Sequence, residues 1–146
     1  MLGEKGIPGN LADHVTGIPV GCKADALFFL QAARIDRPLN GEEIRHGTQP
    51  EIADYIVHYA DGATEKVPIL LGGTIDDYHQ QTPNVLRDAR VAWTKPYAGS
   101  TFSSVAYSQQ WNNPHPGITI ASIDLVYGPE RRGVPALLAL TAATGL

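Results

Sequence analysis

An all-β, antiparallel sandwich is the fold this sequence predicts, and three observations carry the prediction. Apolar runs of strand length, about seven of them, recur along the 146 residues. Fifteen glycines and eleven prolines separate the runs. Many short strands and turns use these residues, whereas a helix bundle does not. No stretch carries an amphipathic helical period of ordinary length.

Composition narrows the function classes. The length suits a single domain, 1–146, with a core of its own. Apolar content of 43% and charged content of 18% belong to a folded chain. A net charge of -4 argues against a general nucleic-acid binder, which needs a basic face. The single Cys22 makes no internal disulfide. No run has the length of a membrane span, and the first eight residues hold no apolar signal core.

Residues 1–21 are rich in Gly and Pro and read as an irregular lead-in, with Leu11, Val15, Ile18 and Val20 tucked against the core. Ala24 to Ala33 is an apolar run with adjacent Phe28 and Phe29, expected as a central strand covered on both faces. Residues 34–50 read as a charged loop. The β-rich runs Ile52 to Tyr59 and Thr64 to Leu70 flank Asp61-Gly62, a hairpin signal because Gly accepts positive φ. Pro68 cannot donate to a ladder, so that strand is expected at an edge or bulged.

Thr74 to Asp88 is polar and reads as a loop with room for one helical turn. Ala89 to Thr94 is a short strand ended by Lys95-Pro96, and Tyr97 to Ser100 is a turn. Strands near 102–110 and 118–126 then flank the stiff Trp111-Asn112-Asn113-Pro114-His115-Pro116 corner. Gly128 to Gly133 turns the chain into a last strand, Val134 to Thr141.

No catalytic constellation emerges. There is no Gly-x-Ser-x-Gly elbow, and Cys22 beside Lys23 reads as a packed or incidental thiol. Glu42-Glu43 and Asp76-Asp77 are adjacent pairs, whose side chains point apart in extended chain; they read as solvated loop charges. Asp76 or Asp77 is the one calcium candidate, but the ligand spacing that calcium loops show is missing, so no cofactor is expected. The five histidines lack metal-ligand spacing, and His58 reads as a hydrogen-bonded sheet histidine.

Carbohydrate recognition is the chemistry with support. Sugars offer apolar C–H faces and hydroxyl rims, which aromatic platforms and amide, imidazole or guanidinium groups meet. Tyr78, Trp93, Tyr97, Trp111 and Tyr127 are the platforms on offer; Arg90, Asn112, Asn113, His115 and Asp77 are the polar partners. The expected site combines Trp111, Asn113, His115, Arg90, Tyr97 and Tyr78. Packing competes for several of these. Alternation in its strand favours a core position for Trp93, Trp111 stacks naturally on the Pro114-x-Pro116 corner, and Asn113 can bond turn backbone. Asp124 shares a face with Ser122, Ile120 and Ile118 on simple alternation, and reads as a loop-orienting group.

Three segments together, Gly17-Ile18-Pro19-Val20-Gly21-Cys22-Lys23-Ala24-Asp25-Ala26-Leu27-Phe28-Phe29-Leu30, Tyr55-Ile56-Val57-His58-Tyr59-Ala60-Asp61-Gly62, and Trp111 to Pro116 with Ile120-Ala121-Ser122-Ile123-Asp124, resemble the galactose-binding-domain-like modules of bacterial glycoside hydrolases and related secreted proteins. The resemblance runs from about Asp13 to about Thr141. It implies a jelly-roll sandwich, a non-catalytic accessory role, a carbohydrate partner and an extracellular or periplasmic place. In the similar modules the Gln31 position is often His and the Cys22 position often Arg, and further strands usually precede the Gly-Ile-Pro-Val segment. The alternative expectation follows from that difference: a structural protein in which incomplete sandwiches pair through free edges into homo-oligomers.

Overall fold

The computed structural model describes residues 1–3 and 12–146; Leu11, expected against the core, lies outside them. Among the described residues the chain forms β1 (His14–Cys22), β2 (Ala26–Ile35), α1 (Gly41–His46), β3 (Glu51–Tyr59), β4 (Thr64–Leu70), β5 (His79–Gln80), β6 (Arg90–Pro96), β7 (Ser103–Asn112), β8 (Ile120–Tyr127) and β9 (Gly133–Ala143). One antiparallel sheet runs β1-β8-β3-β4. The other runs β5-β7-β2-β9, with β6 also paired to β7. Pairing β1 with β8 in one sheet and β2 with β7 in the other nests one pair inside the next, as the outer strands of a jelly roll do, while β3 and β4 pair as a hairpin. The sandwich expectation holds, with nine strands in place of about seven.

Two departures have local causes. Residues 14–22, expected to be irregular, form an edge strand on β8. Its register shifts twice, between Val15 and Ile18 and between Pro19 and Cys22. Gly17 and Gly21 take positive φ at those shifts, so the Gly and Pro that read as punctuation are bulge residues of a broken edge. Residues 41–46 are helical inside the expected loop. Asn40 accepts from the Glu43 N–H, the Glu43 carboxylate accepts from the Asn40 N–H, and Gly47 closes the helix in the left-handed region. That Asn-x-x-Glu capping box was legible at residues 40–43.

Strand β2 is central in its sheet as expected but covered on one face only, because nothing among the described residues packs as a layer over its outer side. Most other elements follow their sequence signals. Gly62 turns the β3–β4 hairpin at φ 89°, and Pro68 sits in β4, an edge strand. Segment 74–88 contains β5 and no helical turn. Its path is set by side chains bonding backbone: Asp77 accepts from Ile35 and His79 N–H groups, Gln80 accepts from Asn84 N–H, and the Tyr107 hydroxyl donates to Asn84 C=O.

The core lies between the sheets. Leu27 and Phe29 of β2 meet Tyr55 and Val57 of β3, with Ile69, Ile123 and Leu125 beside them. Val15, Ile18 and Val20 pack on its margin as expected. Phe29 and Tyr55 stack with centroids 4.1 Å apart. The Tyr55 hydroxyl donates to Gln31 Oε1 at 2.6 Å, and Gln31 Nε2 donates to Thr74 C=O and Gln109 Oε1. A buried amide and phenol are stable here because each finds partners. Gln31 is therefore a cross-sheet tie, and burial lifts the Tyr55 hydroxyl well above its ordinary range.

Candidate functional site

Alternation and cross-strand register decide what each sheet shows to solvent. In β2, Leu27, Phe29, Gln31 and Ala33 face the core, so Phe28, Leu30, Ala32 and Arg34 face out. Opposite residues share a face. Leu30 pairs Ser108, and on the other side Ala32 pairs Ala136 and Arg34 pairs Val134. In β6, Arg90 stands opposite Ser108, Trp93 opposite Ala106 and Lys95 opposite Ser104. The outer face of this sheet thus carries Trp93, Ala106, Ala32 and Ala136 side by side. The small side chains form a floor. Trp93, Tyr78, Leu138 and Arg34 rise around it and enclose an open groove of about 430 Å³.

The position of Trp93 corrects the expectation that it is core. It is 50% exposed. Two facts explain this. A register shift between Val91 and Trp93 turns the indole to the outer face, and β6 is a sheet edge whose every residue is exposed. Leu138 on the far side is 58% exposed. A Trp and a Leu left in water around one concavity form a contiguous apolar surface of the kind that meets ligands.

The six expected site residues divide between two places. Tyr78 lines the groove. Tyr97 accepts at its hydroxyl from the Ser104 hydroxyl, and Ser104 also lines it. Arg90 lies on the same outer face, beside Phe28, Ser108 and Gln110. Trp111, Asn113 and His115 sit instead at the corner after β7. Trp111 packs on the main core. Asn113 is buried; its Nδ2 donates to Ala24 and His115 C=O, and its Oδ1 accepts from Tyr59 Oη and the His115 N–H. With both donors and both acceptor positions occupied, it has nothing to offer a sugar. His115 lies edge-on to Tyr59, with Nε2 3.2 Å from Glu65.

The other candidates are committed elsewhere. Tyr127 lies under the Arg131 guanidinium, 4.5 Å from its centroid. Asn112 accepts from Gln110. Asp76 accepts from the Asp77 N–H and from Asn84, so both aspartates orient their loop. Among the described residues no three His, Cys, Asp or Glu side chains converge. Glu42 and Glu43, expected as solvated charges, differ from each other. Glu43 is held down at about 2 by its hydrogen bonds to Arg132 and to the Asn40 N–H. His58 meets Asp124 at 2.7 Å, and Asp124 also accepts from the Gly17 N–H, tying β3, β8 and β1 together. A register shift near Ile120 turns that side chain inward, so it does not share the outer face of Ser122 and Asp124.

Arg34 and Lys95 were not among the expected residues. Alternation within β6 puts Lys95, two residues after Trp93, on the same face, whereas only cross-strand pairing brings Arg34 to the groove. No protein-family model, curated protein or solved structure matches the chain. None of the described helices is long and apolar enough to cross a membrane.

Proposed function

We propose that this chain is a non-catalytic carbohydrate-binding module whose site is the groove on the outer face of the β6-β7-β2-β9 sheet. One observation carries the reading: an indole, half in water, stands on the wall of a concave sheet face. Stacking the C–H face of a pyranose on Trp93 removes apolar surface of both partners from water. Ser104 and the Tyr78 and Tyr97 hydroxyls supply hydrogen bonds at the rim. Trp93 and Ser104 stand on strands β6 and β7, and a hydrogen bond from Ser104 holds the Tyr97 hydroxyl, so little ordering entropy is lost on binding. Such a module works beside polysaccharide, outside the cell or in the periplasm.

Electrophoresis through native gels containing dissolved polysaccharides tests this. The wild type is retarded, and Trp93→Ala migrates freely while keeping its far-UV spectrum and melting temperature. Equal migration of both proteins in every gel rejects the proposal.

A second reading, edge-to-edge self-assembly, has one observation in its favour: the outer edge of β6 is exposed along all seven residues. Light scattering at micromolar concentration separates the two readings, since a uniform monomeric mass removes the second.

A further inference from the structure

Three cations stand on the outer face around the groove. Arg34 stands on the far wall of the groove. Arg90 and Lys95 stand on β6, opposite Ser108 and Ser104, while Trp93 stands opposite Ala106. They therefore flank the indole, each about 7 Å away along β7. None of the three cations makes a side-chain hydrogen bond or ion pair with a described residue. No described Asp or Glu lines the groove. Of the acids nearby, Asp77 is engaged by the Ile35 and His79 N–H groups, and Asp88, in the hollow beside Arg90, lies 3.9 Å from Arg87. The whole chain carries 15 acidic residues against 11 Lys and Arg, so this face departs in sign from the chain's overall charge.

We infer that the groove takes an anionic glycan, one whose sugars bear carboxylate or sulfate groups, and not a neutral one. The inference rests on the carbohydrate reading above. The apolar floor and Trp93 take the ring face of one sugar, and Arg90, Lys95 and Arg34 meet acidic groups on that sugar and its neighbours. Guanidinium groups suit this work because their planar fork matches a carboxylate or sulfate edge. Opposite potentials on ligand and face also raise the association rate, and salt removes that gain. A single-stranded nucleic acid would place bases on a row of aromatic platforms. Here Tyr78 also lines the groove, but no described ring lies against the Trp93 indole, which stands on a floor of Ala and Val, and this favours the sugar.

Four gels decide it, containing a polyuronate, a sulfated polysaccharide, a neutral glucan and a neutral xylan, with a labelled oligothymidylate run in solution beside them. Retardation in the polyuronate or the sulfated gel, weakened roughly threefold by Arg34→Gln, by Arg90→Gln or by Lys95→Gln and reduced further by salt, is the expected result; threefold is the size of one exposed ion pair. The two acidic gels show which acid is preferred. Equal retardation in neutral gels, untouched by the three charge variants but lost in Trp93→Ala, overturns the anionic inference and leaves the carbohydrate reading standing. Binding to the oligothymidylate in preference to every glycan overturns the inference as well. No retardation in any gel overturns both.

Discussion

The Tyr59 hydroxyl donates to Asn113 Oδ1 at 2.5 Å, joining the end of β3 in one sheet to the corner that leaves β7 in the other. Asn113 then holds Ala24 C=O at 2.7 Å and the His115 N–H at 3.0 Å. One buried amide thus ties the Trp111 to Pro116 corner to the end of β3 and to Ala24, just before β2.

Asn113→Ala is expected to destabilise the protein by about 2–3 kcal/mol, because the Tyr59 hydroxyl and Ala24 carbonyl lose their partner in a buried place. Urea denaturation measures it. Asn113→Asp keeps the acceptor and loses the donor to Ala24, so it falls between wild type and Ala.

The two tryptophans should behave in opposite ways. Trp111→Ala removes a side chain packed on the main core and should cost about 3 kcal/mol. Trp93→Ala removes an indole already 50% exposed and should cost under about 1 kcal/mol. Calorimetric melts of the two variants check the contrast. A large loss of stability in Trp93→Ala would show that the indole is part of the packing.

Arg132 is almost wholly buried and donates to both Glu43 carboxylate oxygens and to Arg37 and Pro38 carbonyls. No lysine reaches four acceptors in that geometry. Arg132→Lys and Arg132→Ala should both release segment 36–47, seen as faster cleavage there in limited proteolysis while the sheets remain protected. If Arg132→Lys is as resistant as wild type, the fork is not what holds the segment.

Stability should form a dome against pH, with two named limbs. Asp54 is buried, and its Oδ1 lacks a hydrogen-bond partner among the described residues. Burial first, then neighbouring Glu51, pushes its carboxyl up to about 7. The unfolded chain gives up that proton near pH 4, so the native state holds it longer, and stability falls as pH rises from about 4 through 7. Lys66, 2.8 Å from Glu51, offsets part of the repulsion. Glu43 is the acid limb: its lowered value makes the Arg132 contact a stabilising one above pH 4.5, lost as pH falls toward 2. Melting temperature against pH for wild type and Asp54→Asn checks this. The variant should lose the decline between pH 5 and 8, and a parallel curve would exclude Asp54 as its source.

Much of the fold was legible because its causes are local. Asp61-Gly62 needs only its own backbone freedom to turn the hairpin. Pro68, without an N–H, belongs at an edge whatever surrounds it, and β4 is one. Trp111 to Pro116 is stiff by covalent structure. The unread capping box at Asn40 and Glu43 was local too, a side chain bonding backbone three residues away.

The site was less legible, and Trp93 shows the reason. Its strand alternates, and alternation says that two faces differ without saying which face meets the core. That assignment came from a one-residue shift between Val91 and Trp93, and from the place of β6 at the sheet edge, both properties of pairing with β7. The same shift brings Arg90 to the face of the indole, alternation keeps Lys95 there, and Arg34 reaches the groove only through β2. The sequence by itself determined the strands, turns and all-β class, because short-range sterics and a period of two decide them. Only the tertiary structure decided that Asn113 belongs to the fold and Trp93 to solvent, because a face becomes inner or outer when strands distant in sequence choose their partners.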